Sequence, residues 1–246
     1  MKKQIQDLIK FVKTNLHVDG CITGSALLDY YPGQDVDIFC YSQEAFTEAV
    51  YFMYYNKMFQ ILEPGEQHKF NQFTKEGKSS LDSIGLITLK FKWNTCIDCN
   101  LVFKKYQKNI FSVLAAFDID IITCGYDLKT KKTLNLRESV GKKGSWNKWN
   151  KSYYSEDQWS CKRLLRQWQR IYKYEQRGWD LSEVTNKYIS MVEKQLQTTN
   201  IYNSEKGTKF HEDTQEQFKV VLKLLKAYKK EKKISPEGLL VLKQLI

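Results

Sequence analysis

Two acidic residues inside an apolar segment constrain this chain most. In Asp35-Val36-Asp37-Ile38, acidic and apolar residues alternate. Residues two apart in a strand point to the same face, so the pattern predicts adjacent carboxylates and a buried apolar face opposite. Two aligned carboxylates repel each other, which a divalent cation with oxygen ligands offsets. Asp35 and Asp37 are therefore candidate ligands for two Mg²⁺ ions, with Mn²⁺ as a substitute. The alternative is a strand that starts after a turn and carries its acids on a solvated edge.

A glycine–serine pair precedes these acids by about ten residues. Gly24-Ser25 follows a short apolar run and is predicted to open a helical turn. Such a turn lets backbone N–H groups approach a phosphate closely, and a helix N-terminus adds a favourable dipole. Gly24 and Ser25 are thus candidate binders of a nucleotide triphosphate.

Glycine–serine, a spacer and D-x-D between apolar residues resembles the signature of the DNA polymerase β-type nucleotidyltransferases. That family also uses a third carboxylate on a neighbouring strand. Asp98 is the only acid in residues 84–103, which read as two strands meeting near Trp93-Asn94. A lone buried carboxylate is costly. The resemblance therefore implies Asp98 as third catalytic and metal-binding residue, which helps to activate the acceptor hydroxyl.

A second D-x-D, Asp118 and Asp120, competes for the metal role. Residues 117–136 alternate like a strand, followed by a lysine-rich turn and a returning strand. The glycine–serine pair favours the earlier acids, because the later pair has none. The segment is similar to the second motif of the head domain of tRNA nucleotidyltransferases and bacterial poly(A) polymerases, and this implies that Asp118 holds the incoming nucleotide.

Two arginines of those enzymes have no counterpart here. Phe117 stands in place of the arginine before Asp118, and Leu28 in place of the arginine of the first motif. The departures put CCA addition in doubt but leave nucleotidyl transfer as the expected reaction.

Periodicity predicts the remaining elements of the first 140 residues. The predicted helices cover 3–16, 42–57 (with Ser42 as N-cap) and 107–116. A short strand is predicted at 59–62. Residues 66–83 are predicted to form a loop or short helix near the substrate entrance. The fold class is therefore α/β (α+β), a nucleotidyltransferase-type mixed sheet with flanking helices, followed by a helical C-terminal domain.

Charge is distributed unevenly. Residues 1–141 hold 17 Lys and Arg against 16 Asp and Glu, a net charge of +1, whereas residues 142–246 hold 22 against 12, a net charge of +10. A basic surface attracts phosphate backbones, although a solvated lysine-rich helical surface is the alternative. The six cysteines follow no disulfide spacing, and no segment is long and apolar enough to span a membrane. We expect a cytoplasmic protein.

The basic half is predicted to be helical. Residues 141–154 form a candidate linker, in which Trp146 and Trp149 could stack on bases. A capping-box pattern at 155–158 opens a helix that ends before Gly178, and further helices cover 182–197 and 212–232, separated by a polar connection at 198–211. The first helix resembles the one that follows the head domain in tRNA nucleotidyltransferases. Its candidate nucleic-acid-binding residues, here called the basic stripe, are Arg163, Arg166, Arg170, Lys173 and Arg177.

Together these features predict a catalytic domain at 1–140, a linker at 141–154 and a basic helical domain at 155–246. The expected reaction moves a nucleoside monophosphate from an NTP to an acceptor hydroxyl on RNA or tRNA, with release of pyrophosphate. One alternative is a toxin- or antibiotic-type enzyme that modifies a protein or a small molecule. Another, from a different class, is an inactive head that serves as a nucleic-acid-binding module.

Overall fold

The structure, a computed structural model, describes residues 2–28, 34–61, 86–150, 161–203 and 209–231. The chain divides into two compact units, one of residues 1–138 and 147–150 and the other of residues 139–146 and 151–246. The described part contains a seven-stranded mixed sheet and six α-helices, so the predicted mixed α/β class is confirmed.

The elements are named in chain order. They are α1 (Lys2–Asn15), β1 (Gly20–Thr23), β2 (Val36–Cys40), α2 (Gln43–Tyr55), β3 (Phe59–Ile61), β4 (Leu86–Trp93), β5 (Ile97–Lys104), α3 (Ile110–Ala115), β6 (Cys124–Asp127), β7 (Thr133–Asn135), α4 (Cys161–Glu175), α5 (Ser182–Asn203) and α6 (Lys209–Glu231). Two 3₁₀ turns, Ser25–Leu27 and Asp120–Ile122, complete the first unit.

The sheet has the strand order β3-β4-β5-β2-β1-β6-β7. Only the β2–β5 pair is parallel among these neighbours; the other pairs are antiparallel. The strand that carries the D-x-D acids is therefore central, and its partners on both sides are fixed by register. Asp37 lies opposite Thr23 of β1 and opposite Asn100 of β5.

The two faces of the sheet bury different cores. The larger core joins α1 and α2 to residues such as Val36, Ile38 and Leu101. The smaller core contains Cys21, Phe39, Val102 and Val113, the last of these from α3. Because strand side chains alternate between faces, the residues two before Phe39 and two before Val102 belong to the smaller-core face. The D-x-D acids thus extend that face beyond its apolar part.

Both long helices of the first unit form as predicted. Helix α1 buries Ile5, Leu8 and Val12 at helical spacing. Helix α2 starts at its predicted cap, because the Ser42 side chain accepts a hydrogen bond from Ala45 N–H. The strands β3, β4 and β5 and the helix α3 lie within one to three residues of their predicted bounds.

The strand predicted to begin at residue 117 is wrong in its first half. Residues Asp120–Ile122 form a 3₁₀ turn, closed by the hydrogen bonds of Thr123 N–H and Thr123 Oγ1 to Asp120 O. The strand starts only at Cys124, and the returning strand β7 forms as predicted. Local side-chain bonding from threonine thus prevails over alternation.

In the second unit, α4 ends before Gly178, as the sequence indicates. The polar connection predicted at 198–211 is wrong where it is described, since α5 continues to Asn203 and α6 begins at Lys209. The capping box at 155–158 and the loop at 66–83 lie outside the described residues. Within the described ranges, no helix combines the length and apolar character needed to cross a membrane.

Candidate active site

An amide bridge joins the two acids of the D-x-D segment. Asn100 Nδ2 donates hydrogen bonds to Asp35 Oδ2 and to Asp37 Oδ1, both at 2.9 Å. All three residues are half-buried. The predicted side-by-side placement of Asp35 and Asp37, here called the carboxylate pair, is confirmed. Because an ionised carboxylate only accepts hydrogen bonds, the amide nitrogen is the group that can satisfy both at once.

Gly24 borders the same site. Its φ of 86° and ψ of −167° lie in a region that is accessible essentially only to glycine. A Cβ built at this position would lie 3.2 Å from Asp37 Oδ2. The Gly24-Ser25 segment and the carboxylate pair are therefore adjacent, as the sequence predicts. The helix that it opens is shorter than expected, however, because Ser25–Leu27 is one 3₁₀ turn and supplies little dipole.

A buried hydroxyl lies beside Asp37. Thr23 is completely buried, and among the described residues its Oγ1 has no hydrogen-bond partner. Thr23 and Asp37 are directly opposed across β1 and β2, a geometry in which Cβ atoms are about 4.5–5.5 Å apart. A buried hydroxyl without a partner is costly, and in native proteins such a group commonly marks a bound ion, a water or a ligand.

These residues fit a divalent cation. Two carboxylates, an amide that can present its oxygen after a half-turn, and a nearby hydroxyl are oxygen donors of the kind that Mg²⁺ and Mn²⁺ prefer. Among the described residues, no group of three or more His, Cys, Asp or Glu side chains forms a metal cluster. The donor set here differs from such a cluster in having an amide as its third member.

The expected burial of Asp98 is wrong. Its side chain is 52% exposed and lies 3.6 Å from Lys92 Nζ, its cross-strand partner in β4. Asp98 shares a strand face with Asn100 but lies two residues earlier, just before the first pair of the β2–β5 ladder. Asn100, not Asp98, is the residue that contacts the carboxylate pair. The predicted metal-binding role of Asp98 stays a prediction.

Cys99, which precedes Asn100 in β5, is completely buried in the larger core, on the face of the sheet opposite the carboxylate pair. Burial, with the nearby charges of Asp37 and Asp35, raises the pKa of Cys99 above its usual range. Cys96, three residues earlier in the chain, lies in the exposed turn between β4 and β5. A buried thiol with a raised pKa is a poor nucleophile and a poor zinc ligand.

The second acidic pair is buried instead of lining a strand face. Asp118 and Asp120 are 4% and 2% exposed. Asp118 Oδ1 accepts the N–H of Ile119, and its carbonyl oxygen accepts the N–H of Asn147. These bonds show a structural task for Asp118; the nucleotide-binding role that the resemblance implies stays a prediction.

A separate cavity of about 390 Å³ lies at the other end of β1 and β2. Its lining includes Asp19, Ser42, Glu48 and Lys129. The cavity adjoins the start of β1 and the end of β2, whereas the carboxylate pair adjoins the end of β1 and the start of β2. Lys129 Nζ is already paired with Asp19. The cavity therefore takes no part in the carboxylate site.

In the second unit, part of the basic stripe is exposed to solvent. Arg166, Arg170 and Lys173 are exposed on α4, whereas Trp168 and Ile171 are buried. The guanidinium of Arg177 lies 5.5 Å from the ring centroid of Tyr174. The side chain of Arg163 lies outside what the structure describes. Arg166, Arg170 and Lys173 thus face away from the packed side of α4, whereas Arg177 follows the end of the helix and is half-buried.

The two candidate base-stacking tryptophans differ. Trp146 is 5% exposed, so stacking on a base is excluded unless the chain opens there. Trp149 is 42% exposed, packs edge-on against Phe111 and has Lys148 Nζ 5.0 Å from its ring centroid. Trp149 therefore remains available for stacking.

Comparisons with protein-family models, with curated proteins and with solved structures found no match for this chain.

Sequence reasoning missed Asn100 and Thr23. Asn100 carries no charge, so the family pattern of three carboxylates does not point to it. The available signal was the position of Asn100 as a polar residue among apolar ones in a strand next to the D-x-D segment. Register, which local sequence does not reveal, places it opposite Asp37.

Proposed function

We propose that the first unit is a nucleotidyltransferase-fold catalytic domain that transfers a nucleoside monophosphate from an NTP to an acceptor hydroxyl. The observation that supports this most is the carboxylate pair, bridged by Asn100 and bordered by Gly24 at one end of the sheet. Paired carboxylates next to a glycine turn support this proposal, because phosphoryl transfer needs a cation and a phosphate to be bound side by side.

Asp35 and Asp37 would hold the divalent ions, and Gly24 would let the backbone approach the triphosphate without a side chain in between. Bound Mg²⁺ would supply neutralisation of the charge on the transferred phosphoryl group and on the departing pyrophosphate. Asn100 would hold the two carboxylates together through its hydrogen bonds to both. Asp98 is the candidate that accepts the proton of the acceptor hydroxyl, from a solvent-exposed position beside Lys92.

We propose RNA, including tRNA, as the acceptor, held by a basic helical domain in the second half of the chain. The net charge of +10 over residues 142–246 and the exposed members of the basic stripe support this proposal. Arginine forks suit phosphate.

One observation favours a second candidate function. The strand position opposite Asp37 carries the neutral amide of Asn100, where a third carboxylate would give a stronger metal site. A head that has lost catalysis and serves as a nucleic-acid-binding module would retain the basic stripe but turn over no NTP.

The test of the reaction is incubation with Mg²⁺, each α-labelled NTP and total cellular RNA. We expect labelled RNA and pyrophosphate from the wild-type protein, and loss of at least about 100-fold in Asp37→Asn because a metal ligand is removed. Asp7→Asn, the same change at an exposed position of α1, should be fully active. Turnover that persists in Asp37→Asn would overturn the site assignment. If protein instead of RNA became labelled, the acceptor would be a protein.

The test of the acceptor is a salt titration of RNA binding. If α4 binds phosphates, log affinity falls linearly with log salt, and Arg166→Ala with Arg170→Ala reduces the slope by about 2. The double variant Lys219→Ala with Lys223→Ala removes the same charge from exposed positions of α6. Equal changes in both double variants would contradict a specific role of α4.

A further inference from the structure

The amide of Asn100 is the one neutral member of an otherwise acidic group. It donates to Asp35 Oδ2 and Asp37 Oδ1 at 2.9 Å, so both of its N–H bonds are directed at the carboxylate pair. Bridging by a donor offsets the repulsion between two like charges that are held side by side. The strands β2 and β5 are adjacent in the middle of the sheet, and their register sets Asp37 opposite Asn100.

We infer that Asn100 is a positioning residue that aligns the carboxylate pair in the metal-free protein and limits the site to two negative charges. The inference rests on the proposed function, since it concerns the cation that this function uses. A donor amide suits a site without a cation. When a cation arrives, a half-turn about χ2 exchanges the amide nitrogen for its oxygen, which then becomes a third oxygen ligand.

Two charges and an amide hold a divalent ion more weakly than three charges would, because ligand charge is one of the quantities that set the affinity for hard cations. The structure therefore favours an ion that arrives together with the triphosphate over one that is permanently bound. The buried hydroxyl of Thr23, opposite Asp37 and without a partner among the described residues, is a second polar group that a hydrated ion would satisfy.

The inference is tested by Asn100→Asp, which adds a third carboxylate at the same place and with nearly the same shape. Without divalent ions, this variant should melt below the wild type, because three carboxylates meet without a bridging donor. Mn²⁺ alone should then increase the melting temperature of the variant by more than it increases that of the wild type. In a calorimetric titration, the variant should bind Mn²⁺ at least about tenfold more tightly than the wild type.

Asn135→Asp is the matched control, since it makes the same chemical change at an exposed position of the edge strand β7. It should melt and bind Mn²⁺ like the wild type. Asn100→Leu removes the bridge without adding charge, so it should lose metal-free stability yet gain no affinity for Mn²⁺. Asp37→Asn reports on the site as a whole and should abolish the response to Mn²⁺.

The outcomes separate the two proposals. If Asp37→Asn abolishes the Mn²⁺ response while Asn100→Asp leaves melting and affinity unchanged, the cation site stands and the role of Asn100 is refuted. If Mn²⁺ changes neither the melting temperature nor the binding heat of the wild type, with or without ATP, and has no effect on Asn100→Asp either, the carboxylate pair is not a metal site and the proposed function is refuted. An Asn100→Asp variant that fails to fold even in Mn²⁺, while Asn100→Leu folds, would also overturn the inference.

Discussion

Replacing Gly24 by alanine tests whether this turn and the carboxylate pair act as one site. The backbone of Gly24 has a φ of 86° and a ψ of −167°, a combination that costs a residue with a side chain about 1–3 kcal/mol. The added methyl would also lie 3.2 Å from Asp37 Oδ2, so the carboxylate must shift by a few tenths of an ångström. We therefore expect lower stability to urea, by about 1–3 kcal/mol, and weaker binding of Mn²⁺.

Gly178→Ala separates backbone strain from contact with the site. Gly178 also has a positive φ, of 79°, but a Cβ there meets no atom within 4 Å. The Gly178→Ala variant should lose about 1–2 kcal/mol of its free energy of unfolding and should bind Mn²⁺ like the wild type. The assay is a urea titration followed by calorimetry with Mn²⁺ on all three proteins. The idea that the Gly24 turn and the carboxylate pair form one site would be refuted if Gly24→Ala bound Mn²⁺ as tightly as the wild type. It would also be refuted if Gly178→Ala lost as much affinity as Gly24→Ala.

Three further predictions concern other parts of the first unit. Asn147→Ala should lower the free energy of unfolding by about 1–3 kcal/mol in urea, because its amide nitrogen serves three carbonyl groups at the end of α3, at 2.8–3.3 Å. In Asp127→Asn, the free energy of unfolding should fall less steeply below about pH 4, as measured by urea midpoints. The reason is that the pKa of Asp127 is lower in the folded protein than its value of about 3.9 in the unfolded chain, so the ionised carboxylate stabilises the fold above that pH. That stabilisation is lost as the pH falls through the folded pKa. Asp118→Asn should raise the KM for NTP more than it weakens Mn²⁺ binding, and the reverse pattern would exchange its role with that of Asp37.

The direction of the Asp127 shift follows from competing effects. Burial by itself would raise this pKa. Hydrogen bonds from the N–H and hydroxyl of Thr130, from Tyr41 and from the N–H of Lys129 favour the ionised form and prevail. The pKa of the carboxyl is therefore lowered, as is usual for a carboxylate that accepts several hydrogen bonds.

Local patterns predicted the elements that local forces determine. Alternation in Asp35–Ile38 predicts the strand and its two faces, and Ser42 predicts the start of α2, because both depend on neighbouring residues only. The same alternation failed at Asp118 and Asp120, where Thr123 closes a 3₁₀ turn by bonding to the backbone of Asp120. Acidic residues at positions i and i+2 are compatible with a strand and also with a turn, so their spacing alone does not distinguish the two.

Composition was a poor guide to the ends of the long helices. Residues 198–203, four of which are Thr or Asn, remain in α5, and 209–211 already belong to α6. Polar residues such as Gln, Thr and Asn lower helix propensity only slightly, whereas glycine and proline end helices for steric reasons. The stretch 198–203 contains neither.

The third position of the site shows why register had to come from the structure. Asp98 and Asn100 share one face of β5, so period alone cannot tell which of them meets the carboxylate pair. Parallel pairing of β2 with β5 joins segments about sixty residues apart and places Asn100 opposite Asp37. Asp98 lies where a charge costs little, half exposed and close to Lys92. An acid at position 100 would instead bring a third like charge to the carboxylate pair and make the metal-free fold less stable, whereas the amide of Asn100 donates to both carboxylates.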